Sequence, residues 1–199
     1  MAVTNGYCTL AELKAALRIT DSVDDTLLER AIEGASRRID GYCGRWFYQT
    51  QQTLTMNPWN EYSCPFHHDL ASTTVTIKID TAGDGTYATT LTQGTDYQLE
   101  PRDAILQGHP YRKAVMIGGQ TFPLYYAPAP DTVQVQGTWG WAAVPHDVRE
   151  ACIMLAQRQF ARLNAPLGVV GFSDMAITVR SVDPDVRDLL NPYKVLGVI

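Results

Sequence analysis

The sequence predicts an α+β protein, a helical bundle formed by the N- and C-terminal segments with an inserted antiparallel β-rich subdomain. Three observations carry this prediction. Apolar residues recur at three- and four-residue spacing near both ends of the chain. Between Phe47 and Trp141 no helical period is sustained, and Thr, Val, Ile and Tyr are punctuated by Gly and Pro. The first two helices span too little chain to bury their apolar faces alone, which makes the returning helix their natural partner. The boundaries expected are 1–46 with 141–199 for the helical part and 47–140 for the insert.

Taken in order, Thr9 and Glu12 form a capping-box pair ahead of Leu10, Leu13 and Leu17. Thr20-Asp21-Ser22-Val23 breaks that helix. A second begins at Asp24 and Asp25 and carries Leu27, Leu28, Ala31, Ile32, Ala35, Ile39 and Tyr42 on one stripe. Its acids stand at the start and Arg37 and Arg38 near the end, as the helix dipole favours, and Gly44 is the expected stop. In the insert, Thr73–Ile79, Tyr87–Leu91, Tyr97–Glu100, Val115–Ile117 and Val133–Trp139 read as strands, with a turn at 80–86. Pro145 introduces a third helix with Val148, Cys152, Leu155, Ala156 and Leu163 as its stripe, ended by Pro166. A Gly- and Val-rich loop follows, then a strand over 176–182. Asp183-Pro184 caps a short last helix with Val186, Leu189 and Leu190, and Pro192 closes it. The tail YKVLGVI is apolar.

Bulk properties narrow the function. With 199 residues, 45% hydrophobic and 19% charged, the chain is an ordinary folded protein. No apolar run approaches the roughly 20 residues that span a bilayer. The N-terminus lacks a basic and apolar leader pattern, which points to synthesis in the cytoplasm. Sixteen basic and 21 acidic residues leave a net charge of −5, unlike a protein that grips phosphate backbones. Residues 47–140 hold eight acids and four bases, so the insert carries nearly all the surplus. The four cysteines form no CxxC pair and read as buried free thiols.

Catalytic and metal patterns are weak. Cys64, His67, His68 and Asp69 have ligand chemistry, but a second ligand cluster is missing, and the plainer reading is a polar loop leading into a strand. Asp80, Asp84, Gly83 and Gly85 resemble part of a calcium loop, yet strands rather than helices flank them and a hairpin turn explains the glycines. No G-x-S-x-G or G-x-x-x-x-G-K occurs, and His109 and His146 stand in turn contexts. The reading is a non-enzyme with no metal and no cofactor. The insert's many aromatic residues are expected mostly in the core, with some left for an interface.

Two stretches are similar to a known family. YCTLAELKAALRITDSVDDTLLERAIEGASRRIDGYCGRWF resembles the start of the gp6-like head–tail connector proteins of tailed bacteriophages, with its Y-x-T-x-x-E-L-K helix, acidic D-D-x-x-L helix and GR-x-F end. VQVQGTWGWAAVPHDVREACIMLAQRQFARLNAPLGVVGF and DPDVRDLLNPY resemble the second half of its longer members. The resemblance implies a virion protein at the head–tail interface: a ring of probably twelve copies below the portal. Its partners would be itself, the portal protein and the next adaptor or tail-terminator protein, with no membrane. The genome would pass through the channel without specific binding, since an acidic wall does not hold phosphates. Expected interface residues are Arg37, Arg38, Arg45, Tyr125, Tyr126, Arg158, Arg162, Tyr193, Val195, Leu196, Val198 and Ile199. The competing readings are a tail terminator or tail-completion protein, or a carbohydrate- or peptide-binding module using the aromatic insert.

Overall fold

A computed structural model describes residues 3–124, 131–164 and 184–195. The chain forms two compact units, one from residues 1–48 and 144–199 and the other from 49–143. The fold class is α+β, as predicted.

The helical unit contains α1 (Leu10–Leu17), α2 (Asp25–Cys43), α3 (His146–Asn164) and α4 (Pro184–Leu190). Thr9 and Glu12 form the expected capping box at the start of α1, the Thr9 hydroxyl accepting the Glu12 N–H and Glu12 accepting the Thr9 N–H. Gly44 ends α2 in the left-handed conformation, φ 67°, which only glycine adopts freely. Leu28, Ala31, Ile32, Ala35 and Ile39 are buried against Val148, Ala151, Cys152, Leu155 and Ala156 of α3. Leu27 departs from the predicted stripe and is exposed, because Leu28 already fills that turn of the helix. Arg37 and Arg38 precede the last turn of α2, which holds no base. Its terminal carbonyls are satisfied instead by backbone donors: Gly44 N–H reaches Asp40 O at 2.8 Å and Val195 N–H reaches Cys43 O at 2.8 Å. The predicted strand 176–182, the cap Asp183 and the stop Pro166 lie outside the described residues.

Tyr7 organises the interior of this unit. Its hydroxyl pairs with Asp40 and accepts the Phe47 N–H at 2.8 Å, while its own N–H reaches Ser36 Oγ at 3.0 Å. Burial first, and the Asp40 hydrogen bond second, push the Tyr7 phenol well above its usual range; burial likewise raises Asp40. All four cysteines are free and buried. Cys8 and Cys152 meet at 3.5 Å, and the Cys152 hydrogen bond together with burial keeps the Cys8 thiol protonated.

The β unit is an antiparallel sheet of seven strands: β1 (Thr50–Met56), β2 (Ser63–Leu70), β3 (Thr76–Ile79), β4 (Thr89–Leu91), β5 (Tyr97–Glu100), β6 (Tyr111–Met116) and β7 (Val133–Trp139). Strand β7 is its axis: β1 pairs with its whole length and β3 with its first half. β2, β6 and β5 form a second ladder that meets β7 at Leu70 and Trp139. The alternation in β7 is complete, Val133, Val135, Gly137 and Trp139 facing inward. Gly137 has a packing reason, since a Cβ there would stand 3.0 Å from Leu70 Cδ1 where β2 crosses. Trp139 is fully buried, edge-on to Phe66, and donates from Nε1 to Gln52 O at 3.0 Å.

Two strands were not expected. β1 (TQQTLTM) is polar because its outer face meets solvent, which hides the apolar period. β2 includes the CPFHHDL segment expected as a loop. Pro65, which donates no ladder hydrogen bond, coincides with a register shift between Pro65 and Leu70, so the strand is real but irregular. β6 begins four residues earlier than predicted, at Tyr111, while β3 and β4 are shorter than predicted.

The pairing places the loops. β1 and β7 begin and end together at Thr50 and Trp139, the end through which the chain enters and leaves the unit. At the opposite end lie the 57–62 and 80–88 turns, Asp96 and residues 117–124 with Asp131, tied together by backbone hydrogen bonds from Phe122 to Glu61 and from Ile117 to Asp96. Thr132 Oγ1 adds a bond to Pro123 O at 3.0 Å. Glu61, Asp80, Asp84, Asp96 and Asp131 are here, and these loops contain no Lys or Arg. Arg102, Arg112 and Lys113 lie toward the entry end with Asp69, Glu100 and Asp103, and the fourth base of the insert, Lys78, stands on β3 one residue from its far end. The acidity of the insert is therefore concentrated at its far end.

Candidate interaction surface

Cys64 is fully buried, and burial pushes its thiol up to about 12. His67 and His68 are exposed on β2. Among the described residues no three His, Cys, Asp or Glu side chains converge to hold a metal ion. Asp80 is a turn residue: its carboxylate accepts N–H groups from Ala82 at 3.0 Å and from Gly83 and Gly85 at 2.7 Å each. Burial opposes its ionisation, and these donors outweigh burial and hold it below the usual carboxylate range. With both oxygens taken up by its own loop, it has little left for a cation. His109 lies edge-on to Trp141, whose Nε1 donates to Asp69 at 2.9 Å; His146 is exposed at the start of α3.

The aromatic residues divide as expected between core and surface. Phe47, Trp139 and Trp141 are buried, whereas Trp59 is 75% exposed and Tyr62 57% exposed in the 57–62 turn. Leu124, beside that turn's neighbouring loop, is also exposed.

The residues expected at an interface fall into three groups. Arg37 is held within its own unit: Nη2 donates to Asn5 O at 2.9 Å, Nε lies 3.0 Å from Asp40, and the guanidinium covers the Tyr7 and Tyr48 rings. Arg45 is buried. Tyr193 packs edge-on to Phe47 and hydrogen-bonds to Asp147 at 3.2 Å, while Val195 is exposed although its N–H is tied to α2. Tyr125, Tyr126, Leu196, Val198 and Ile199 lie outside the described residues.

Arg38, Arg158 and Arg162 are brought together. They border a groove of about 270 Å³ between α2 and α3, floored by Ala35, Leu155 and Gln159. Positions 155, 158, 159 and 162 share one face of α3 by helical spacing. Gly34 permits the close approach beneath: a Cβ there would stand 2.8 Å from the Gln159 amide. Next to it, and sharing Leu155 and Arg158, is a larger groove of about 640 Å³ lined by Leu17, Met154, Ala161 and Val186. The apolar members of this surface come from three helices, so no single helical stripe in the sequence marks it. Paired Arg residues at i and i+4 late in α3 were its only sequence signal.

Residues 7–79 match the family described as Phage gp6-like head-tail connector protein, so the predicted resemblance holds over the helical hairpin and the first strands. No curated protein matches the chain in sequence. Among solved structures, a chain from "Neck of native GTA particle computed with C12 symmetry" is 17% identical with a TM-score of 0.58, covering 100% of this chain and 94% of that one. A chain from "Neck of empty GTA particle computed with C6 symmetry" is 16% identical with a TM-score of 0.57, covering 100% and 95%. One from "Virion of native gene transfer agent (GTA) particle" is 20% identical with a TM-score of 0.56, again covering 100% and 95%. The whole architecture, insert included, is thus shared with these neck chains.

Proposed function

We propose that this protein is a structural head–tail connector of a phage-like particle, a ring subunit seated below the portal at the junction of capsid and tail. The observation that carries the reading is the coincidence of a family match over residues 7–79 with likeness along the full chain to neck structures. The C12 symmetry named for one of those particles supports a ring of twelve copies. Ring formation by identical subunits requires two different patches on each chain that fit one another, a heterologous contact that closes. The partners are then the portal protein on one side and the next adaptor or tail-terminator protein on the other. The genome passes through the ring, and the net charge of −5 suits a wall that duplex DNA slides past. The activity is assembly, with no chemical step.

The test is particle composition. Particles from cells lacking the gene should be DNA-filled heads without tails, and antibody labelling of complete particles should mark the neck. A protein missing from purified particles, or particles normally tailed without it, would refute the connector role.

A further inference from the structure

We infer that the arginine groove and the adjoining apolar groove on α3 receive the acidic, aromatic far end of the β unit of a second copy of this chain. The inference rests on the connector reading and adds which surfaces meet between neighbouring subunits. Its basis is chemical matching of two surfaces that lie on different units of one polypeptide. On one, Arg38, Arg158 and Arg162 surround a groove whose floor is Ala35, Leu155 and Gln159. Immediately beside it, Leu17, Met154, Ala161 and Val186 line an open apolar groove that shares Leu155 and Arg158 with the first. The surface is thus cationic on one side and apolar on the other.

The far end of the β unit offers the complement of both. Glu61 and Asp84 are exposed there and Asp96 is half-exposed; Asp131, also half-exposed, is bonded by Thr55 and Asn57, and while the loops hold no base, half-buried Lys78 stands one residue inside the end of β3. Trp59 and Tyr62 stand out of the same end at 75% and 57% exposure. Asp80, also at this end, is taken up by its own turn and takes no part. An exposed Trp beside carboxylates matches an apolar groove beside guanidinium groups: the ring supplies buried area, and the ion pairs set orientation and partner choice. Arg is suited to this because its planar fork binds carboxylates in pairs and also stacks on aromatic rings. The other candidate for a cationic groove is a nucleic-acid backbone. The net charge of −5 and the adjoining apolar groove favour a protein partner. Because the two surfaces differ, the contact runs head to tail, as a closed ring requires.

A charge swap on the full-length protein tests this. Two variants are needed, Arg158→Glu with Arg162→Glu, and Glu61→Lys with Asp84→Lys, all at positions outside the fully buried core. Sedimentation velocity over a concentration series should show the unmodified chain self-associating, at least tenfold more weakly in about 0.5 M than in about 0.05 M salt. Each variant alone should associate at least tenfold more weakly than the unmodified chain, and an equimolar mixture of the two should regain association. Trp59→Ala should weaken association about tenfold while leaving its salt dependence intact. The inference is overturned if the unmodified chain stays monomeric throughout, if either charge variant associates normally, or if the mixture does not recover. Binding of short duplex DNA that is lost in the arginine variant, with self-association unchanged, would make the groove a phosphate site and also overturn it. Circular dichroism of each variant separates misfolding from lost contact, and single substitutions at Arg162 and Asp84 replace any double variant that misfolds. Absence from particles would remove the connector reading, whereas these solution results bear on the contact itself.

Discussion

In the helical unit acids and bases are intermixed and paired, whereas in the β unit the surplus acid is gathered at one end. Lys14 meets Asp25 at 2.7 Å, Arg149 approaches Glu12 at 3.6 Å and Arg37 lies 3.0 Å from Asp40. At the far end of the sheet the carboxylates are held by backbone and side-chain donors and meet no base in those loops: Asp84 accepts the Thr86 N–H, Asp96 the Thr92 N–H, and Asp131 the Thr55 hydroxyl and Asn57 amide. The difference follows from what each element can supply. Arg37 and Asp40 lie three residues apart on one helix face, while Lys14–Asp25 and Arg149–Glu12 join neighbouring helices, so helical period and helix packing both bring opposite charges together. Turns between strands are short and choose Asp, Asn and Gly for backbone geometry, so charge collects wherever turns collect. Turn chemistry in this fold has thereby produced a surface with one sign.

Substitutions separate the two units, and the largest effect is expected in the sheet. Trp139→Ala should cost the β unit about 3–5 kcal/mol, because a fully buried indole would leave a cavity at the bridge between the two ladders. Thermal unfolding followed by near-ultraviolet circular dichroism should shift far more than the helical signal at 222 nm; equal shifts would show that the units unfold as one.

The matching change in the helical unit is Tyr7→Phe. It deletes the hydroxyl between Asp40 and the Phe47 N–H, leaving both to find new partners in a mostly buried site. A loss of about 1–3 kcal/mol is expected, read as a lower urea midpoint with an unchanged slope. A smaller effect follows from Thr9→Ala, which removes the cap of α1 and should cost about 1 kcal/mol, measurable in the same titration.

The smallest effect is a pH dependence. The Thr9 N–H, with help from the Thr9 hydroxyl and Arg149, holds the Glu12 carboxyl below its ordinary value of 4.5. A depressed carboxyl contributes stability that is present above its unfolded value and is lost as pH falls through the folded one. Thermal midpoints should therefore fall as pH drops below about 4.5, and Glu12→Gln should flatten that slope in the helical signal. Asp80, depressed by the donors of its own turn, should leave a slope of the same sign in the sheet signal. A Glu12→Gln variant that retained the full slope in the helical signal would exclude the cap as its source.

Local patterns were legible wherever their physical cause is local. Thr9 with Glu12, Gly44, the Leu28–Ile39 stripe and the alternation of Val133–Trp139 each involve residues a few positions apart, and each appears as read. The exposed Leu27, the buried Arg45 and strand β2 were not legible, because they depend on neighbours distant in the chain. Pro65 has no N–H to donate to a ladder, and pairing with β6 accommodates it at an irregular register.

By itself the sequence determined the fold class, the start of α1 at Thr9, the end of α2 at Gly44 and the acidic character of the insert, all consequences of period, capping and composition. Only the tertiary structure decided that five acids from four loops share one end of the sheet, and that Arg38 joins Arg158 and Arg162 across a helix pair. Strand pairing sets Thr50 against Trp139 and helix packing sets Arg38 beside Arg158, separations along the chain that leave no periodic trace.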